Sequence, residues 1–63
     1  MNTKKFEVLL SDILNDDDVR ELYPELDEIM DTGNFERDNV LTGNHGLNIY
    51  FDDGEKIQLT ISK

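Results

Sequence analysis

Cysteine, tryptophan and alanine are absent from this 63-residue chain, which has one proline, one histidine and four glycines. Without cysteine there is neither a disulfide framework nor a thiolate zinc site, a pattern that fits a reducing cytoplasm better than secretion. Long apolar runs are also missing. Val8 to Leu10 and Ile49 to Phe51 are only a few residues long, far short of the roughly 20 needed to cross a bilayer. Lys4 and Lys5 lead into a stretch whose apolar residues are broken by Glu7 and Asp12 and which runs on into Asp16-Asp17-Asp18, so no signal peptide is expected and the expected compartment is the cytoplasm. There is no GxxxxGK[ST] loop, no GxGxxG and no basic aromatic stripe to hold phosphates or bases.

Basic residues are scarce. Six Lys and Arg face fifteen Asp and Glu, giving a formal charge of −9 and a pI near 4.2. Such a chain is repelled by nucleic acid and anionic membrane, so neither is an expected direct partner, and its natural partners are basic proteins. A chain this short is expected to form one domain over residues 1–63, burying only about 60% of the surface its unfolded form exposes. An acidic disordered tail is the other way to carry this charge, but the 37% hydrophobic content is arranged periodically.

That periodicity gives the expected elements. Phe6, Leu9, Leu10, Ile13 and Leu14 fall at i, i+3, i+4, i+7 and i+8, which predicts an amphipathic helix over 3–14. Asn15 and Asp16 to Asp18 end it and offer caps for a second helix, with Asp18 and Glu21 in capping-box spacing. Pro24 interrupts the next helical pattern. The expectation is a short helix over 17–22 and another from Pro24 to Asp31 with Gly33 as its left-handed C-terminal cap; the alternative is one kinked helix over 19–31. In both, Val19, Leu22, Leu26 and Ile29 share a packing face, with Tyr23 and Met30 at its edge.

The period then shifts to two. Leu47, Ile49 and Phe51, and later Ile57, Leu59 and Ile61, alternate with polar residues, predicting a hairpin. A two-residue turn would put the two apolar sets on opposite faces. A three-residue loop, Asp52-Asp53-Gly54, instead pairs Ile49 with Ile57 and Leu47 with Leu59, and places Gly54 at the left-handed position. The outer face then shows Asn48, Tyr50, Lys56, Gln58 and Thr60. Val40 to Thr42 is the candidate for a third strand. The expected fold is α+β: two or three short N-terminal helices on one face of a two- or three-stranded antiparallel sheet that ends in a C-terminal hairpin.

The acidity is local. Nine of the fifteen acids lie between Asp12 and Asp31, where Arg20 is the only base, so these twenty positions carry −8 and the other forty-three only −1. Concentrating charge opposes folding, whereas solubility alone needs no such concentration. On a helix, Glu21, Glu25 and Glu28 form one row and Asp27 and Asp31 another, and each like-charged i, i+4 pair costs a few tenths of a kcal/mol. Along DNA each strand presents a phosphate about every 3.4 Å, and twenty helical residues span at most about 30 Å. Nine carboxylates over that span approach the same linear charge.

Other candidates are weaker. Asp16-Asp17-Asp18 and Asp52-Asp53-Gly54-Glu55 do not fit a calcium-binding EF-hand loop, so no metal site is expected, and no cofactor. His45 lies in a loop-like Gly43-Asn44-His45-Gly46; with Asp52 it could form an acid/base pair, but no nucleophile or oxyanion loop accompanies it, and enzyme activity is not expected. Tyr50, opposite Lys56, is either a cross-strand packing residue or an exposed interface anchor. A free sheet edge, at Ile61 to Lys63 or at the Val40 strand, would permit dimerisation or strand addition; both monomer and homodimer stay open.

In size, charge, lack of cysteine and the run Asp16-Asp17-Asp18 … Glu25 … Asp27-Glu28 … Asp31, the chain resembles the small acidic inhibitors that phages and mobile elements use to disable host nucleic-acid enzymes, the DNA mimics and anti-CRISPR-type proteins. The resemblance is one of class, with no shared motif and no common fold. It implies an inhibitor that presents Asp16, Asp17, Asp18, Glu21, Glu25, Asp27, Glu28 and Asp31 to a basic surface in the host cytoplasm, for example that of a CRISPR effector or another defence nuclease. The alternative is a small regulatory adaptor that binds through the outer face or edge of its sheet, with Tyr50 as anchor.

Overall fold

The computed structural model describes residues 1–62, and its architecture is α+β. Helix α1 spans Thr3–Leu14, with the bounds its apolar spacing predicts, and starts where the Asn2 side chain accepts from Lys5 N at 2.7 Å. Helix α2 spans Asp17–Leu22. Its cap is Asp16, not Asp18: the Asp16 carboxylate accepts from the N–H groups of Asp18 and Val19, satisfying donors the first turn leaves free. Pro24 then opens a 3-10 turn, Pro24–Glu28.

Here the structure departs from the helical expectation. Neither a helix to Asp31 nor a kinked helix over 19–31 forms; Ile29–Asn34 is strand β1, antiparallel to β2, His45–Phe51, with Ile29 opposite Phe51 and Thr32 opposite Ile49. Gly33 is a strand residue and caps nothing; the Arg37 guanidinium occupies the space where a Cβ would stand. Val40 to Thr42 is not the third strand. Its amides bond locally, Val40 N to Phe35 O and Thr42 N to Val40 O. The reason is burial: β1 places Ile29 in the core, while Leu41 is fully exposed.

β2 turns through Asp52-Asp53-Gly54 toward β3, Lys56–Ile61. The register is the one argued from side-chain direction, Ile49 opposite Ile57 and Leu47 opposite Leu59. Gly54 has φ 90, and Gly54 N donates to Phe51 O while Phe51 N donates to Glu55 O, a turn closed by a glycine bulge. The sheet order is β1-β2-β3.

The core is small: Ile29, Leu47 and Ile49, backed by Leu10, Leu14, Leu26 and Phe51. Of the predicted α1 stripe only Leu10 and Leu14 pack on it, while Phe6, Leu9 and Ile13 are exposed. Leu22, expected to pack, is exposed too. The middle of the helix–sheet contact belongs instead to Glu7, which is fully buried. Its carboxylate accepts from Lys4 Nζ at 2.7 Å and from the Gly46 N–H at 3.3 Å, so the charge is paired and hydrogen-bonded as burial requires. Gly46 itself has no room for a side chain, since a Cβ would collide with Leu59 O and the ring of the buried Phe35.

Glu7→Ala is expected to lower stability by about 1–3 kcal/mol by leaving the Gly46 N–H without its acceptor, and Glu7→Gln, which keeps an acceptor, by less. Urea unfolding followed by circular dichroism measures both.

Candidate functional site

The nine carboxylates of residues 12–31 are all exposed. Asp12 sits near the end of α1; Asp16 caps α2; Asp17, Asp18 and Glu21 lie on α2; Glu25, Asp27 and Glu28 lie on the 3-10 turn; Asp31 is in β1. Because the helical path breaks at Tyr23, the Glu21, Glu25 and Glu28 row and the Asp27 and Asp31 row are not rows of one helix. The charge follows a bent path of two short helical segments, about 9 Å and 10 Å long, in place of a straight rod.

Few of these charges are neutralised. Among the described residues, Arg20 approaches Asp27 at 3.9 Å and Arg37 holds Asp31 at 3.0 Å, and no other carboxylate of the group has a cation within 4 Å. Arg20 is further occupied by the Leu14 carbonyl, to which its Nε donates at 2.9 Å. Besides Ile13 on α1, three apolar side chains are exposed within the same run: Leu22 at 75%, Met30 at 70% and Tyr23 at 60%. Sequence reasoning assigned these to packing or its margin. The signal that separates them is the proline, which turns the chain before the stripe can close on the sheet.

The outer sheet face carries a different constellation. Asp38 Oδ2 accepts from Tyr50 Oη at 2.7 Å and from Asn48 Nδ2 at 2.8 Å, and Asp38 Oδ1 accepts from Arg37 Nε at 2.8 Å. Gln58 Nε2 donates to Asn48 Oδ1. The Arg37 hydrogen bond, and then those of Tyr50 and Asn48, hold the Asp38 carboxyl well below the usual range, while the bond to Asp38 raises the Tyr50 phenol. Tyr50, the expected interface anchor of the adaptor reading, is half-buried, with its hydroxyl committed to Asp38 and Lys56 Nζ 5.6 Å from its ring centroid. The network ties the 35–39 turn to the sheet.

His45 opens β2 and is not a loop residue; its Nδ1 shares a hydrogen bond with Thr3 Oγ1 at 2.8 Å, while Asp52 lies beyond the other end of the strand. The structure therefore does not bring these two together. A groove of about 210 Å³ between α1 and β1 is lined by Glu7, Ser11, Asp12, Thr32 and Arg37, among others. It is smaller than the roughly 300–1,000 Å³ of small-molecule sites, and its arginine is already spent on Asp31 and Asp38. Among the described residues no three Asp, Glu or His side chains are grouped to hold a metal ion, and no helix is long and apolar enough to cross a membrane. No protein-family model matches the chain, nor does any curated protein or solved structure.

A carboxylate with a depressed folded value contributes stability above its unfolded value, about 3.9, and loses it as pH falls toward the folded one. Asp38→Asn is therefore expected to lower the urea midpoint at neutral pH, and its curve to converge on the unsubstituted protein's as pH drops below about 4. A difference that persists unchanged in acid would show that the carboxylate charge is not the stabilising element.

Proposed function

We propose that this protein is an inhibitor that presents a nucleic-acid-mimicking acidic surface to a basic, nucleic-acid-binding protein, such as a CRISPR effector or another host defence nuclease, in the manner of small phage-encoded proteins. The observation that carries this reading is the exposure of all nine carboxylates of residues 12–31 with only two cations close to them among the described residues. Left unneutralised, that charge attracts a cationic groove, accelerates encounter and makes binding sensitive to salt. The broken helical path suits a curved groove better than a straight duplex-like track.

Charge alone would give attraction without fit. Leu22, Tyr23 and Met30, exposed inside the acidic run, supply what a protein partner needs beyond it: apolar and aromatic anchors that become buried within a polar rim. Glu21, Glu25 and Glu28 steer and set the register, while Tyr23 and Leu22 contribute the burial that slows dissociation. The mimicry is thus one of charge and not of chemistry.

The test is competition with labelled DNA across a panel of CRISPR effectors and defence nucleases at low and high salt. The triple variant Glu21→Gln, Glu25→Gln, Glu28→Gln, which takes the formal charge from −9 to −6, is expected to raise Kd and flatten its salt dependence with the circular dichroism spectrum unchanged. Tyr23→Ala is expected to cost about 1–2 kcal/mol of binding with the salt slope retained. Equal inhibition by all variants would overturn the assignment.

A further inference from the structure

The two edges of the sheet are unlike. β1 is an interrupted edge: its register shifts between Ile29 and Asp31, it contains Gly33, and the Arg37 side chain lies across it, pairing with Asp31 and donating to Thr32 O. Such features discourage strand addition. β3 has none of them. Lys56 to Ile61 is regular, without glycine, proline or acid, and five of its six residues are exposed although one side is fully paired to β2.

The cause is the placement of α1. Val8, Ser11 and Asp12 line the groove with Thr32 and Gly33, and Asn15 Nδ2 donates to Thr32 Oγ1, so the helix leans toward β1. Helical geometry puts Phe6, Leu9 and Ile13 on the opposite flank, toward β3. The sheet's inner face is thereby left open at β3: Ile57 is 50% and Leu59 38% exposed.

The strand is also self-complementary. Ile57-Gln58-Leu59-Thr60-Ile61 reads apolar, polar, apolar, polar, apolar in both directions. In an antiparallel pair, opposite residues share a face. A two-fold axis through Leu59 sets Leu59 against its own copy, Ile57 against Ile61 and Gln58 against Thr60, and so keeps every apolar residue on the inner face. The hydrogen bonds allow it. Phe51 N donates to Glu55 O, and alternation from there makes Ile57, Leu59 and Ile61 the residues bonded to β2, leaving the N–H and C=O groups of Gln58 and Thr60 pointing outward.

From these three observations, the open edge, the uncovered inner face and the palindromic pattern, we infer that β3 pairs with β3 of a second copy of this chain, forming a two-fold dimer with a continuous six-stranded sheet. The Phe6, Leu9 and Ile13 flanks of the two α1 helices face each other across the new seam. Charge selects the same edge. Each copy carries −9, and β3 is an element without a carboxylate, so dimerisation there leaves the acidic run of each copy at the far ends. An interface of this kind is isologous and closed, so assembly stops at two.

Sedimentation velocity over a concentration series tests it: the mass should rise from the 7.3 kDa of one chain toward twice that value. Added salt should favour the dimer by screening the repulsion between copies, opposite in sign to its effect on binding a basic partner, so failure of one assignment is distinguishable from failure of the other. Thr60→Pro removes an outward N–H and should abolish the dimer while the circular dichroism spectrum of the monomer is retained. Leu59→Cys places a thiol on the axis, where non-hydrogen-bonded Cα atoms stand about 4.5 Å apart, within disulfide reach; it should oxidise to a covalent dimer that Gln58→Cys forms much less readily. A single chain mass at all concentrations and salts, or equal oxidation of the two cysteine variants, would overturn the inference.

Discussion

One buried carboxylate joins the two layers of this protein. Glu7 lies in the centre of the α1 surface that faces the sheet, and its oxygens accept from a side chain of its own helix and from the backbone of β2. With three residues at the heart of the core, apolar burial alone would leave the helix free to slide along the strands. A directional, desolvated interaction does what a larger core does elsewhere: it makes one docking position better than its neighbours. The position of α1 in turn decides which part of the sheet is covered and which is left open.

The acidic run has its place for the same reason. α2 and the 3-10 turn contribute Leu26 to the core and little else, so their remaining positions are free to carry charge. The chain accepts that repulsion where it disturbs packing least, at the margin of the helical layer, and keeps β2 and β3 free of acids until the hairpin tip. The exposed apolar residues of β3 have no acid among them, whereas Leu22, Tyr23 and Met30 expose apolar surface inside the acidic run.

Most local structure was legible in the sequence. Helix α1, helix α2 and the hairpin register came from periodicity and from the demand of a three-residue loop for Gly54. β1 was not legible, because Pro24, the apolar positions Leu26 and Ile29, and Gly33 spell a helix with a C-terminal cap when read locally. What wins is non-local, pairing with β2 through Ile29 and Thr32. The same locality hid Glu7, whose burial depends on a partner thirty-nine residues away, and promoted Val40 to Thr42, which has strand-like residues but no ladder to join. For the acidic surface, composition located the carboxylates correctly and misjudged their geometry. It also hid Leu22, Tyr23 and Met30, since an apolar residue in a periodic stripe reads as core until the backbone is seen to turn away. The edge at Ile61 was foreseeable from alternation; Lys63 lies outside the described residues.

The connection lengths within the sheet are unequal. β2 and β3 are joined by the tight Asp52 to Glu55 turn and close on their own, a microsecond event for a hairpin. β1 must span ten residues, Phe35 to Asn44, at a larger loop-closure entropy, and its seat is complete only when Asp38 reaches Asn48 and Tyr50. Loop-closure entropy alone therefore favours the β2–β3 pairing over the β1–β2 pairing. The polar clasp at Asp38 anchors the long β1–β2 connection to the middle of the sheet, offsetting part of the entropy that its length costs.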